Sequence, residues 1–442
     1  MGRYEERMLF TILHLADPDR RLVYVTSQAV DPAIVDYYLR FVPDPEGARA
    51  RLSMVTLDDA DIRPLSQKLL TRPDVVGRIR TLAGDPDEAS ILPFNVGGTD
   101  QALADLLGLA LQGARPDLAW LGSKSGARQV ARRAGVAVLA GAEDLFSAGA
   151  LDAAIATIRR EQTDAEAVVI KLNNGFSGQG NAMVAIDTIP TAGSIVDSPT
   201  TFCASEESWP SFLAKIEAEG AIVEELVRRP GLTSPSAQLR ISPGGALEVL
   251  STHDQVLGGP GLQVYLGCRF PADASYRGAI RSEAVKVGRV LADEGVVGSF
   301  GIDFLVIPDD AGGAQIYLSE INLRAGGTTH PFWMARLAMD ASYDDATGEL
   351  VADSGAPKSY MASDNVKSDA LVGMTPARMI EAVDRSGLAY DPTSRTGATL
   401  HLLGALREHG KMGVTCIADS REEADDLYKE VVGVAVSARV NS

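Results

Sequence analysis

The chain has 442 residues, enough for two to four domains, and its 45% hydrophobic content supports buried cores. A formal charge of −18 argues against a nucleic-acid or anionic-membrane partner, both of which are held by basic surface. Cys203, Cys268 and Cys416 are isolated, with no Cys-x-x-Cys spacing, which excludes a cysteine zinc site and fits a reducing compartment. With a charged amphipathic start, no signal-peptide pattern and no apolar run of membrane length, a cytoplasmic protein is expected.

Residues 1–118 alternate strand and helix signals. Residues 21–27 read as a strand; Asp31-Pro32 is an N-cap with proline at the first helical position, and the helix through residue 41 is ended by Pro43. A second strand is expected over residues 52–57, helices around 65–70 and 75–82, a strand over 91–96 and an Ala/Leu-rich helix over about 100–111. Such alternation implies a parallel sheet with helices packed on it. Pro93-Phe94-Asn95, at the carboxyl end of a strand, stands where α/β sheets bind ligands, although a structural turn is the simpler reading.

Residues 120–136 give a strand end, a short basic helix opened by Lys124, a glycine stop at Gly135 and a return to strand. Lys124 by itself is unremarkable, since a lysine between Ser123 and Ser125 is readily solvated. The chain is organised around residues 167–186: an apolar strand ending in Lys171, a loop containing Gly175, Ser177, Gly178 and Gly180, and a second apolar run over 182–186. Glycines let backbone N–H groups close over an anion, and the lysine supplies the point charge that a phosphate needs. The Walker loop and the dinucleotide fingerprint both require a helix after the glycines. Here the glycines lead into a short strand closed by Asp187 and Pro190, so a strand–loop–strand phosphate flap fits better.

A polar excursion over 188–203 leads to a helix over about 206–219, stopped by Gly220, and a strand over 221–227. Adjacent Glu224 and Glu225 point to opposite sheet faces, so at least one carboxylate faces inward or lines a cleft. Arg240 and His253-Asp254-Gln255 lie on the strands beyond. Residues 301–307 and 316–324 then form an antiparallel pair, and period two puts Glu320 and Asn322 on one face, with Arg324 next in line. If the register sets Asp303 across from them, three oxygen ligands converge, as Mg²⁺ bridging nucleotide phosphates requires. The alternative is a solvated hairpin face, which does not explain why Asp303 interrupts an apolar strand.

Residues 341–357, rich in Asp, Gly, Ser and Ala, read as a flexible connection. Beyond them Thr375-Pro376 starts a helix ended by Gly387, residues 396–403 and 412–418 read as strands, and Ser420 to Glu423 is a capping box for the last helix. Asp364, Asn365, His401 and Lys411 are polar residues that could line a substrate site, but with no motif behind them they are read as surface.

Together, Lys124 opening its helix, Lys171 before the glycine flap, Glu224-Glu225-Leu226-Val227, Asp303 and Glu320-Ile321-Asn322-Leu323-Arg324 resemble the ATP-grasp superfamily in order and rough spacing. The resemblance implies that both lysines and the flap hold ATP phosphates. It places the Glu225 carbonyl and Val227 N–H at the adenine edge, with Glu224 beside its amino group, and Mg²⁺ on Asp303, Glu320 and Asn322. Arg324 and Arg240 are the catalytic candidates. Gly231 stands where many relatives have a ribose-binding glutamate, leaving Ser234 or Ser236 as substitutes. The segments Tyr4-Glu-Glu-Arg7, Val25-Thr-Ser-Gln28, Asp36-Tyr-Tyr-Leu39, Arg51-Leu52, Lys171-Leu-Asn-Asn-Gly175, His253 to Gly259, Tyr265 to Phe270 and Tyr360 to Asn365 look like the peptide ligase family of pheganomycin biosynthesis. That family implies an N-terminal Rossmann-like pre-ATP-grasp domain (1–118), a two-lobed ATP-grasp body (119–340) and a small C-terminal α/β domain (341–442). The implied chemistry activates one carboxylate as an acyl phosphate, with release of ADP and phosphate, and couples it to the amine of an amino acid or peptide. The partners are then small molecules; a homodimer is compatible with the sequence, which sets no oligomeric state. A biotin-carboxylase-like enzyme lacks support in any Met-Lys-Met segment, and a silent nucleotide-binding regulator would have no need for Arg324 and a full set of metal ligands.

Overall fold

A computed structural model describes residues 2–175, 180–190, 193–259, 264–309, 313–352 and 356–437. The chain forms two compact units, one of Met1–Pro116, Gly267–Pro271 and Arg324–Ser442, the other of Asp117–Leu266 and Ala272–Leu323. No described helix is long and apolar enough to cross a membrane.

The unit of Asp117–Leu266 and Ala272–Leu323 carries two antiparallel sheets. In the first, strands lie in the order Gly141–Leu145, Ala221–Glu225, Ala167–Leu172, Asn181–Ala185 and Thr200–Phe202. Helices Ala148–Glu161 and Trp209–Glu219 cover it, because each has an apolar stripe at helical spacing: Leu151, Ile155 and Ile158 on one, Phe212 and Ile216 on the other. These pack with Val168, Ile170, Val184 and Val223 into one core; full burial of each such side chain stabilises by about 1.5–3 kcal/mol. The second sheet runs Ala314–Asn322, Gly298–Pro308, Pro235–Ile241, Leu247–Gly258, and the helix Arg277–Asp293 lies on its last two strands. The helix Lys124–Ala134 touches both sheets, packing on Gly141–Leu145 and Ala221–Glu225 and on Ala314–Asn322.

In the other unit, Gly2–Ala16 is a 3₁₀ helix and two short parallel pairs form, Leu22–Thr26 with Leu52–Thr56 and Ser90–Ile91 with Ala110–Leu111. The parallel arrangement expected from the alternation is present, but its second half differs in detail. Gly108 adopts the left-handed conformation and stops the helix at Leu107, so Ala110 and Leu111 are extended rather than helical. The strand expected over 91–96 ends at Ile91, ahead of Pro93, which has no N–H to donate to a ladder. The antiparallel strands Ser359–Lys367, Lys411–Ala418 and Gly397–His401 carry the helix Arg421–Ser437, on which Pro376–Ser386 packs in turn, and one core joins them to the N-terminal helices through Tyr38, Met379, Leu400 and Val414.

Candidate active site

Lys124 is the first residue of its helix because Ser123 caps it, the Ser123 Oγ accepting from the Gly126 N–H at 3.0 Å. Its backbone N–H and that of Ser125 donate to the carbonyl and Oδ1 of Asn173, at 3.2 and 3.0 Å. Asn173 in turn donates through Nδ2 to the Glu219 carbonyl at 2.9 Å. The residue two positions after Lys171 therefore braces the start of the lysine helix against the base of the flap. At that base Gly175 and Gly180 face each other so closely that a Cβ added at Gly180 would lie 2.9 Å from the Gly175 Cα. Ser177 and Gly178 lie outside the described residues.

Lys171 is buried on the strand Ala167–Leu172, and register sets it diagonally across from Glu224 on the same face. The two form an ion pair at 3.0 Å. Glu224, also buried, takes a second cation from the lysine helix: Arg128 Nη1 donates to its Oε1 at 2.5 Å, while Arg128 Nε donates to Glu143 at 3.0 Å. Burial alone would lower the pKa of the Lys171 ammonium, but the carboxylates of Glu224 and Glu320 outweigh it and hold that pKa above the ordinary value. Lys171 is thus charged throughout the physiological range.

Asp303 and Glu320 are directly opposed across the hairpin, and Gly301 opposes Asn322, so Asp303, Glu320 and Asn322 share one face. A bulge immediately after Asp303 shifts the remainder of the ladder. Asp303 accepts from Gln255 Nε2 at 2.8 Å and from Asn322 Nδ2 at 3.0 Å, and Glu320 pairs with Lys124 at 3.0 Å. Ser236 is the register partner of Asp303 on the other side, and Ser234 Oγ donates to Gln255 Oε1 at 3.4 Å.

The hinge strand ends at Glu225, with Val227 beyond it; the Glu225 N–H donates to the Ala140 carbonyl at 2.9 Å. Burial raises the Glu225 carboxyl above the usual range, with Arg229 acting the other way. Arg240 lies on the same strand face as Ser236 but four residues along, about 13 Å at strand rise. It is exposed and bonded to Glu248 at 2.7 Å, so the structure does not bring it to the acidic group. Arg324, in the other unit, comes directly after the hairpin strand in the chain and donates to the Ala325 carbonyl at 3.0 Å. His401, expected at the surface, is instead fully buried, because every residue of its strand Gly397–His401 is buried. Arg128, Asn173 and Gln255 were not legible as site residues. The one available signal was that Arg128 is four residues from Lys124 and so shares its helix face.

Residues 199–324 match the family described as "IQCH-like, ATP-grasp", and residues 379–431 match the "PGM1 C-terminal domain". The chain is 33% identical over 429 residues to the L-propargylglycine–L-glutamate ligase of Streptantibioticus cattleyicolor, across 95% of this chain and 86% of that protein. It is 22% identical to the IQ motif-containing protein H of Danio rerio, spanning 67% of this chain and a third (33%) of that longer protein. The fold is similar to that of a biotin carboxylase from Campylobacter jejuni (TM-score 0.56, 15% identity, 100% of this chain and 93% of that one). It is likewise similar to that of N5-carboxyaminoimidazole synthetase from Staphylococcus aureus (TM-score 0.55, 12% identity, 98% and 95%).

Proposed function

Because the chain belongs to the ATP-grasp ligase family that includes L-propargylglycine–L-glutamate ligase, we propose that it joins the carboxylate of one amino acid or derivative to the amine of another amino acid or a peptide through an acyl phosphate. The observation that carries this reading is the set of paired charges in one unit: Lys124 on Glu320 and Lys171 on Glu224, each at 3.0 Å, beside the shared face of Asp303 and Asn322. Cations and anions in this arrangement can exchange partners with a metal nucleotide. The lysines turn from carboxylates to phosphate oxygens, which would leave Glu320 free to hold a metal while Glu224 stays paired with Arg128.

The donors suit a hard cation. Asp303, Glu320 and Asn322 offer only oxygen to it, and among the described residues no group of three or more His, Cys, Asp or Glu side chains forms a metal cage by itself. That is the ordinary situation for Mg²⁺, which binds through one or two carboxylates and completes its shell with phosphate oxygens and water. Mg²⁺ held there would supply positive charge to the transferring phosphoryl group. Lys124 and Lys171 neutralise the same group from the protein side, Arg128 keeps Glu224 in place behind Lys171, and Gln255 holds Asp303 on the metal face. Arg324 stabilises the acyl phosphate and then the oxyanion of the tetrahedral intermediate. The acceptor amine attacks the mixed anhydride directly, so no nucleophilic side chain is required.

The named relative is a ligase of L-propargylglycine and L-glutamate, which makes L-glutamate the first amino acid to test, as either partner. The protein is incubated with ATP, Mg²⁺, L-glutamate and pooled amino acids, with hydroxylamine replacing the amine in a parallel sample. New coupled masses, ADP with phosphate, and a hydroxamate are expected. AMP as the nucleotide product would overturn the acyl-phosphate route.

A further inference from the structure

The unit that contains Arg324 holds a second concentration of polar groups. Because Gly2–Ala16 is wound as a 3₁₀ helix, residues three apart stack above one another, and Tyr4, Arg7 and Phe10 form one ridge. The Arg7 guanidinium lies 4.4 Å from the centroid of the Tyr4 ring and 5.2 Å from that of Phe94, and its Nη2 donates to Asp364 at 2.7 Å. Two aromatic faces and one carboxylate therefore hold the cation in place. Its Nε is buried and has no acceptor; among the described residues it is the one guanidinium or ammonium nitrogen in that state.

Further along the ridge Phe10 meets the His330 ring edge-on, and His330 stacks on His401 at 4.2 Å. Tyr38 Oη is bonded to His330 Nε2 at 2.8 Å. The remaining nitrogen of His330, both ring nitrogens of His401 and the hydroxyls of Thr399 and Thr415 are buried without a partner. Thr399 and Thr415 are register partners, and His401 is two residues on from Thr399, so all three face the same side of the sheet. Gly413 explains one of these orphans, since it lies directly against His401 Nε2. Burial, with a contribution from Arg7, keeps both imidazoles neutral, His401 at about 3, so the positive charge comes from Arg7 and, beside Tyr4, from Lys411, which donates to the Tyr4 hydroxyl at 3.0 Å. The Phe94 carbonyl accepts from the Ala325 N–H at 2.9 Å, fastening this aromatic wall to the residue after Arg324. Buried polar groups ordinarily have a partner in protein, ligand or water, and several that lack a protein partner lie together here.

We propose that Arg7, flanked by Tyr4 and Phe94 and backed by His330, His401, Thr399 and Thr415, is the subsite for the α-carboxylate of the acceptor amino acid. This rests on the ligase reading. Ligation consumes the carboxylate of the donor and the amine of the acceptor, and the acceptor's own carboxylate is the anion left over. A protein of charge −18 repels such an anion unless a local cation receives it. A planar guanidinium matches a carboxylate better than an ammonium does.

The test uses the full chain, with the twenty standard L-amino acids and their α-carboxamides as probes in thermal-shift and calorimetric binding. At least one free acid should bind wild type more tightly than its amide, and Arg7→Gln should lose that preference by tenfold or more with amide binding unchanged. Asp364→Asn removes a competing anion but leaves Arg7, so it should bind the free acid as tightly as wild type or more so. If Arg7 and Asp364 are only a latch, both variants weaken acids and amides alike, and the proposal falls. It also falls if wild type prefers no free acid over its amide. ADP release from the same samples separates the two readings. Acid-selective binding without ADP production keeps the subsite and sinks ligation, whereas coupled products formed equally from acids and amides do the reverse.

Discussion

Arg128 couples the charges of the site: its guanidinium, 1% exposed, reaches Glu143, Glu224 and the Leu139 carbonyl at once. Arg128→Met leaves Glu224 buried with Lys171 alone, and breaking such a pair costs about 3–5 kcal/mol. The variant should show that loss in urea unfolding, together with weaker binding of a non-hydrolysable ATP analogue, since Glu224 then holds Lys171 more firmly. A stability change under about 1 kcal/mol would show that the pair contributes little. Glu320→Gln keeps the shape but removes a charge from the proposed hard-cation site, so turnover should collapse at ordinary Mg²⁺ and recover in part at high Mg²⁺. An unaltered Mg²⁺ dependence would assign Glu320 to a structural pair with Lys124. Asp303 was legible because it interrupts an apolar run, where a charge demands a partner, Glu320 because period two aligns it with Asn322, and Lys171 because it ends an apolar strand ahead of the glycines. Arg128 was not, because it sits in a basic helix where any arginine reads as solvated. His401 misled for the converse reason: its polarity suggested surface, while the apolar strand around it carried the information.

At the level of elements, the flap depends on two backbones passing without side chains between them. In Gly180→Val the new Cβ would fall 2.9 Å from the Gly175 Cα and 3.3 Å from the Leu172 Cβ, so the loop base must spread. Because the strand Ala167–Leu172 is held on its other side by Ala221–Glu225, the fold should survive with little change in Tm. Affinity for the ATP analogue should fall at least tenfold, and unchanged affinity would mean the loop does not cover phosphate. The strand–loop–strand character of this segment was readable from the short apolar run closed by Asp187 and Pro190; the strand ends at Ala185 and Ile186–Thr188 form one 3₁₀ turn. The helix expected over 100–111 was overextended because composition does not reveal that Gly108 turns left-handed, after which Ala110 and Leu111 join a strand pair. The hinge strand, expected to reach Val227, ends at Glu225.

For the whole molecule, the burial of three of the five histidines predicts a loss of stability in mild acid. Burial holds His253 and His401 at about 3 and His330 well below its ordinary value. An unfolded chain binds those protons near pH 6.5, so the stabilisation is fully present above that pH and is lost as pH falls toward the folded values. Each histidine contributes a slope of about 1.4 kcal/mol per pH unit in that window. Urea midpoints measured between about pH 6.5 and 5, above most carboxylate titration, should fall steeply; a flat profile would mean that the imidazoles have access to protons in the folded state.

The paired lysines also bear on how a turnover ends. Lys124 and Lys171 have carboxylate partners, so on the proposed reading a nucleotide displaces an occupant that remains tethered nearby. Once the γ-phosphoryl group has left with the acid, the nucleotide carries less charge with which to hold the lysines. Glu224 and Glu320 can then reclaim them and eject ADP. Glu224→Gln weakens this return, and the expected signature is a product-inhibition constant for ADP several-fold tighter than wild type, with turnover limited by departure of the spent nucleotide.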